Sequence, residues 1–251
     1  MFIGEKNLDK GHPDEYNITI WCYKCQMGGL GIFWEVDDMH DFCYVSKKEA
    51  APVKAELLEI IHRVQDEVRE YFTFQFGFIG SSSRNMITFD RKSNIGFDFD
   101  VNIEVNDEEE NFQAKEIRTI IRNALDKVAR QYGYDYCEDS TRVLTIKKKD
   151  RPNARIIHSC DFAIVYNCGD GRQQYIRYNK DTQTYTWEYQ GKGFEALPGK
   201  IDWLKENGYW GELQDYYLEK KNENNNPQKH SRSIYAESIT EMCQKKGYFE
   251  D

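Results

Sequence analysis

No stretch of this 251-residue chain approaches the roughly 18 consecutive apolar residues that a membrane-spanning helix needs, so no membrane partner is expected. The opening MFIGEKNLDKGHPDEYN lacks the apolar segment of a secretion signal, which predicts a cytoplasmic protein. Positive charge is in short supply: 34 basic side chains stand against 43 acidic ones, a net of -9. That sign excludes broad, non-specific binding of nucleic acid, which needs a positive track for the phosphates. It leaves room for local basic pockets at Lys147-Lys148-Lys149 with Arg151 and at Lys220-Lys221. The 7 cysteines (Cys22, Cys25, Cys43, Cys137, Cys160, Cys168 and Cys243) are odd in number and predict reduced thiols, not a disulfide framework. Internal repeats are absent too. What is present, 39% hydrophobic and 14% aromatic residues, is enough for a packed core and argues against wholesale disorder.

The chemistry concentrates between Phe76 and Val105. A short apolar run ends in Gly80-Ser81, and a second run, IGFDFDVNIEV, alternates strictly from Ile95 to Val105. Side chains two apart on a strand share a face, so Ile95, Phe97, Phe99, Val101, Ile103 and Val105 make an apolar side and Asp98 and Asp100 stand together on the other. Adjacent carboxylates repel each other unless a cation lies between them, and Asp is a poor strand former. A half-exposed strand with a solvated outer face is the plainer alternative for this alternation. A third, Asp161, sits inside the apolar run RIIHSCDFAIVY, where a lone charge is costly unless it is paired or metal-bound. Side-by-side strands would complete a three-carboxylate cluster. Ser81, Ser82, Ser83 and Arg84 read as a short helical turn, whose free backbone N–H groups and hydroxyls suit phosphate oxygens. Gly80, Ser81, Ser82 and Arg84 are therefore candidate phosphate-binding residues, with a polar loop as the plainer alternative.

Three regions follow from the order of patterns. Residues 1–48 hold a polar lead-in and a small hairpin around Gly28-Gly29, with Cys22-x-x-Cys25 at one end and His40-x-x-Cys43 beyond the other. Thiolate and imidazole at those four positions could hold a structural zinc ion, and burial of small residues is the alternative. Residues 49–191 alternate helix and strand. An amphipathic helix spans about Ala50 to Tyr71, with Val53, Leu57, Ile60, Ile61, Val64 and Val68 as its stripe. A strand covers Phe74–Ile79, a long helix Asn111–Tyr132, a strand Thr141–Lys147 and a hairpin turns at Lys180-Asp181. Residues 192–251 are helical: two short helices broken at Gly208, the polar linker NENNNPQK, and a last helix with Ser231 as N-cap.

Gly80-Ser81 after the first strand, Asp98-Phe99-Asp100 in the next and Asp161 on a later one make the chain resemble the DNA polymerase β-type nucleotidyltransferase superfamily. It is most similar to the bacterial branch shared with cGAS-like and oligoadenylate synthase-like enzymes. The resemblance covers roughly residues 50–246 in element order. It implies an α+β fold: a nucleotidyltransferase-type mixed β-sheet flanked by helices, with residues 49–191 as catalytic core, a helical C-terminal region and the small N-terminal β-hairpin. It further implies transfer of a nucleotidyl group from an NTP to an acceptor hydroxyl with release of pyrophosphate, through two Mg2+ (or Mn2+) ions held by Asp98, Asp100 and Asp161. By analogy Lys221 and Ser231, with Lys220 and Ser233 next, would meet the triphosphate; Tyr235 or Trp187 could stack on the base, with burial away from any ligand the favoured alternative for both. The acceptor is left open between nucleotide, RNA, protein and small molecule, the acidic surface disfavouring a tRNA. A nucleotide second messenger is one product of such chemistry. The alternative class is a catalytically inactive member kept as a binding or scaffold protein, and a carboxylate nuclease would leave the Gly-Ser turn without a task.

Overall fold

The structure, a computed structural model, describes residues 40–107, 109–169, 172–191 and 197–248. The predicted hairpin around Gly28-Gly29, with Cys22 and Cys25, lies outside the described residues. Residues 38–251 form one compact unit.

The apolar stripe from Val53 to Val68 becomes α1 (Lys47–Val68). It starts three residues before the expected Ala50 because Ser46 and Glu49 cap it reciprocally. Ser46 Oγ accepts from the Glu49 N–H at 3.2 Å and Glu49 Oε2 accepts from the Ser46 N–H at 3.1 Å. The next strand, β2 (Thr73–Ile79), runs directly into the one-turn helix α2 (Gly80–Ser83). The alternating run forms β4 (Ile95–Asn106), and RIIHSCDFAIVY lies within β7 (Arg155–Asn167). These two are parallel neighbours at the centre of the sheet. Parallel strands need a long crossover, supplied here by α3 (Ala114–Ala129), a 3-10 turn (Arg130–Tyr132), β5 (Glu138–Asp139) and β6 (Leu144–Asp150). The strand order is β2-β4-β7-β6-β5, and the hairpin β8 (Gln173–Asn179)–β9 (Thr184–Tyr189) pairs with the end of β7.

Two boundaries moved for local reasons. The helix expected from Asn111 begins at Ala114, because the Asp107 carboxylate takes the N–H groups of Asn111 and Phe112 and holds that stretch as a turn. The strand expected from Thr141 begins at Leu144. Residues 140–143 are instead wrapped around Arg118, which is 1% exposed and donates to the carbonyls of Ser140, Val143 and Ile176 and to Asp139 Oδ1. A helical Arg reads as a surface residue, yet this one is the peg that fixes the β5–β6 turn.

Phe99, Val101, Ile103 and Val105 enter the main core together with Leu57, Ile60, Val64, Ile117, Ile121 and Leu125. The apolar side of β4 thus packs on α1 and α3, and each such side chain contributes about 1.5–3 kcal/mol. The acidic side lies on the other face of the strand, with Asp98 exposed and Asp100 half-buried. A second apolar cluster joins α4 (Leu197–Glu206), α5 (Trp210–Asn222) and α6 (Ser231–Lys246), and Met86, just beyond the Gly-Ser turn, plugs into it. Gly208, at φ 76°, separates α4 from α5. The N-cap of α6 is His230, not Ser231, which is the first helical residue. A separate two-stranded sheet pairs β1 (Phe42–Tyr44) with β3 (Thr88–Asp90). The architecture is a central mixed sheet flanked by helices.

The basic cluster of β6 is not a free pocket. Lys147 pairs with Glu138, Lys148 with Glu56, and Lys149 and Arg151 both pair with Asp135. The described cysteines (Cys43, Cys137, Cys160, Cys168 and Cys243) are free thiols, and among the described residues no helix is long and apolar enough to cross a membrane.

Candidate active site

The register of the two central strands sets the site. Asp100 lies directly beside Asp161, and Asp98 beside Ser159. Neighbouring strands are about 4.8 Å apart and residues two apart along a strand roughly 6.6 Å. Three carboxylates from two strands therefore share one patch of sheet, on the face away from α1 and α3. The electrostatics follow. Burial raises the Asp100 pKa to about 7, helped by the charges of Asp98 and Asp161 and opposed by Arg84. Asp161 is raised by burial and by Asp98, against a hydrogen bond from Thr145 Oγ1 to its Oδ1 at 2.6 Å. The Asp98 residue is exposed, yet surrounding protein still raises its carboxyl pKa, with Lys221 opposing.

Gly80 is matched to this acid pair. Its φ is 64°, in the region that favours glycine, and a Cβ there would stand 2.3 Å from Asp100 Oδ2. Asp100 also pairs across the sheet with Ile79. The turn and the carboxylate are built into one another, and the space at Gly80 expected to admit a phosphate is taken by Asp100. Within α2, Ser82 Oγ donates to the Ile79 carbonyl and Ser83 Oγ to the Gly80 carbonyl, each at 2.9 Å. Ser82 is buried, so a phosphate contact from its side chain would cost that bond. No such bond ties down the Ser81 hydroxyl among the described residues.

The helical lobe brings cations to the acids. Lys221, in the last turn of α5, is 8% exposed; its Nζ donates to Thr88 Oγ1 at 2.5 Å and lies 4.1 Å from the Phe42 ring centre. Burial lowers its pKa to about 8, with Asp98 and Asp90 opposing. Lys220, the alternative, is turned the other way onto Glu237 and Glu241. Ser231 opens α6 close to Tyr217, whose pKa it lowers against the effect of burial. Ser233 is exposed on the same first turn.

Two further arginines escaped sequence reasoning. Arg232 is exposed, yet partial burial and then the charges of Arg142 and Arg84 lower its pKa, so the positive charge of three separate elements acts together there. Arg84 lies 4.2 Å above the Tyr235 ring, and its buried Nε has no hydrogen-bond partner. Arg142, on the turn pegged by Arg118, lies 5.5 Å from the Tyr175 ring. Nothing in the spacing of positions 84, 142 and 232 could have announced this.

Neither aromatic named as able to stack on a base is placed to do so. Tyr235 is 5% exposed and carries Arg84 on its face. Trp187 lies across from Ile176 and lines a cavity of about 1070 Å³ at the opposite end of β4, with Glu104, Phe112 and Tyr166. That cavity is remote from the carboxylates. Of the zinc set, His40 Nδ1 is 2.8 Å from Asp90 Oδ2, and Cys43 lies across from Phe89 in β1–β3, its pKa raised by burial.

Among the described residues no three Asp, Glu, His or Cys side chains are gathered closely enough to hold an ion unaided. The acidic patch nevertheless fits magnesium or manganese in kind. Its donors are hard carboxylate oxygens, and burial together with mutual repulsion disfavours their charge until a cation arrives.

No protein-family model matches the chain, and no curated protein matches it in sequence. Solved structures do match in shape. The 3'-deoxy GTP-bound form of DncV from Vibrio cholerae superposes with a TM-score of 0.59 at 12% identity, over 83% of this chain and 69% of that one. DncV cyclic AMP-GMP synthase in complex with the linear intermediate 5' pppA(3',5')pG gives 0.58 at 12%, with the same coverage of 83% and 69%. The STING-associated CdnE c-di-GMP synthase from Capnocytophaga granulosa gives 0.52 at 16%, over 81% of this chain and 62% of that one. The chain therefore has the nucleotidyltransferase fold of these cGAS-like cyclic-dinucleotide synthases. At such identities the likeness concerns the fold, and it spans about two thirds of their length.

Proposed function

We propose that this chain is a metal-dependent nucleotidyltransferase that moves an NMP from an NTP to a hydroxyl acceptor with release of pyrophosphate. The observation that carries this reading is the register that lays Asp161 beside Asp100, with Asp98 on the same face and Asp100 packed onto Gly80. Three acids gathered on one open sheet face cost stability in an empty protein and gain a purpose with a cation bound. Asp98 and Asp100 would hold one divalent ion on the triphosphate and share a second with Asp161. Those ions would supply charge neutralisation at the phosphates and a lowered pKa at the acceptor hydroxyl. The protein's own parts do the rest. The α2 N–H groups, the Ser81 hydroxyl, Lys221 and Ser231 meet the triphosphate, and Asp161 receives the acceptor proton.

The acceptor in this reading is itself a nucleotide. The charges of Arg142 and Arg84 are both felt at Arg232, and positive charge supplied from three elements would suit a second group of phosphates. The product is then a nucleotide messenger or its linear precursor, and the working compartment is the cytoplasm. The zinc set of Cys22, Cys25, His40 and Cys43 remains a proposal of the sequence; the Asp90 contact would leave Nε2 of His40 to face a metal.

The test is direct. Purified protein with Mg2+ or Mn2+ and labelled NTPs, singly and in pairs, should release pyrophosphate and form a phosphodiester between two nucleosides. Asp98→Asn and Asp100→Asn should each abolish it. Undiminished release by those variants, or none by the parent with any NTP pair, would leave the fold as a binding protein.

A further inference from the structure

Asp161 is the carboxylate whose orientation matters most in the reaction proposed above, because it alone comes from the second strand. Its surroundings are unequal. On the β4 side it meets only other acids. On the β6 side Thr145 lies directly opposite in the antiparallel register, 8% exposed, with Oγ1 donating to Asp161 Oδ1 at 2.6 Å. Thr is β-branched, so its χ1 is restricted on a strand and the hydroxyl has little freedom to leave. The donor is thus held by the sheet, and Oδ1 is held by the donor.

The bond also divides the labour of the two oxygens. Asp161 has no other described hydrogen bond, so Oδ2 is left without one while Oδ1 is tied to β6. Two residues further along β6, Lys147 forms a 2.6 Å ion pair with Glu138. That lysine is therefore answered by its own carboxylate, and Thr145 is left as the neutral group that orients Asp161. We propose that Thr145 is a positioning residue for the second metal position: it fixes the Asp161 carboxylate so that Oδ2 is presented to the ion and to the acceptor hydroxyl. The proposal rests on the nucleotidyltransferase reading. A hydrogen bond to a charged group is worth enough that its loss should cost about tenfold or more in whatever depends on that orientation.

Thr145→Val keeps shape and removes the donor, whereas Thr145→Ser keeps the donor and removes the methyl group. Two measurements separate the proposal from the reading on which it rests: titration of Mn2+ followed by calorimetry in the presence of a non-hydrolysable NTP analogue, and steady-state pyrophosphate release. The expected result is that Thr145→Val weakens Mn2+ binding by severalfold and lowers kcat about tenfold, with KM for the NTP unchanged. Thr145→Ser should return both to within about threefold of the parent. Parent-like Mn2+ affinity and kcat in Thr145→Val would overturn the proposal. So would a Thr145→Ser protein as impaired as Thr145→Val, since packing of the methyl group would then be the cause. If the parent binds Mn2+ but releases no pyrophosphate, the catalytic reading fails and the Mn2+ titration of the two variants still decides the role of Thr145.

Discussion

Replacing Asp100 by Asn should stabilise the metal-free protein, and by an amount that depends on pH. Asp100 has its pKa raised from 3.8 to about 7 by burial and by two neighbouring acids. A raised carboxyl pKa makes the folded state hold a proton that the unfolded chain has already released. No penalty exists below pH 3.8; it grows as pH rises through the interval and is complete above about 7. At roughly 1.4 kcal/mol per pH unit the ceiling is about 4 kcal/mol. Asp100 is only half-buried and Asp98 beside it is exposed, so water offsets part of both the burial and the repulsion, and about 1–2 kcal/mol is the expected gain at pH 8. Asn has the same shape and no charge, and it removes that repulsion. Urea unfolding in EDTA should therefore show Asp100→Asn more stable than the parent by this amount at pH 8 and by much less at pH 5. For a chain of this length the pH 8 gain corresponds to roughly 2–8 °C in Tm. An equal gain at both pH values, or a loss at pH 8, would refute the claim that the acids are held together against their own repulsion.

The remaining predictions use other parts of the site. Gly80→Ala places a methyl 2.3 Å from Asp100 Oδ2 and adds about 1 kcal/mol or more of backbone strain, so pyrophosphate release should fall at least a hundredfold while circular dichroism stays native. Arg118→Met leaves Asp139 without its cationic partner and takes one donor from each of the Ser140, Val143 and Ile176 carbonyls, and should cost about 3–5 kcal/mol in urea unfolding. Arg232→Ala should raise KM for the acceptor nucleotide severalfold with kcat little changed, an effect that shrinks as salt is added. Mn2+ together with a non-hydrolysable NTP analogue should raise Tm of the parent and leave Asp98→Asn nearly unmoved, as expected for a ligand of the folded state alone.

Period-2 alternation made β4 legible, because a strand with one buried face must be apolar at every second residue, and the acids fell on the other face by the same rule. The stripes of α1 and α3, the Gly-Ser turn and the β8–β9 hairpin were legible for the same local reasons. Boundaries were less so wherever a side chain captured backbone groups, as Asp107 does before α3 and Arg118 does before β6. Trp187 and Tyr235 were expected to be covered sooner than to stack on a base, and composition does say that an aromatic will be covered, but not by what.

By itself the sequence determined the elements, their order and three acids on strand faces, since periodicity and turn chemistry act within a few residues. Only the tertiary structure decided that β4 and β7 are parallel neighbours in the register that joins Asp100 to Asp161. It alone seated Asp100 on Gly80, gave Thr145 to Asp161, and brought the charges of Arg84 and Arg142, from a turn and a loop, to bear on Arg232 in a helix. Those are contacts between residues far apart in the chain. They are set by sheet register and by the Met86 and Arg118 anchors, which no local pattern encodes.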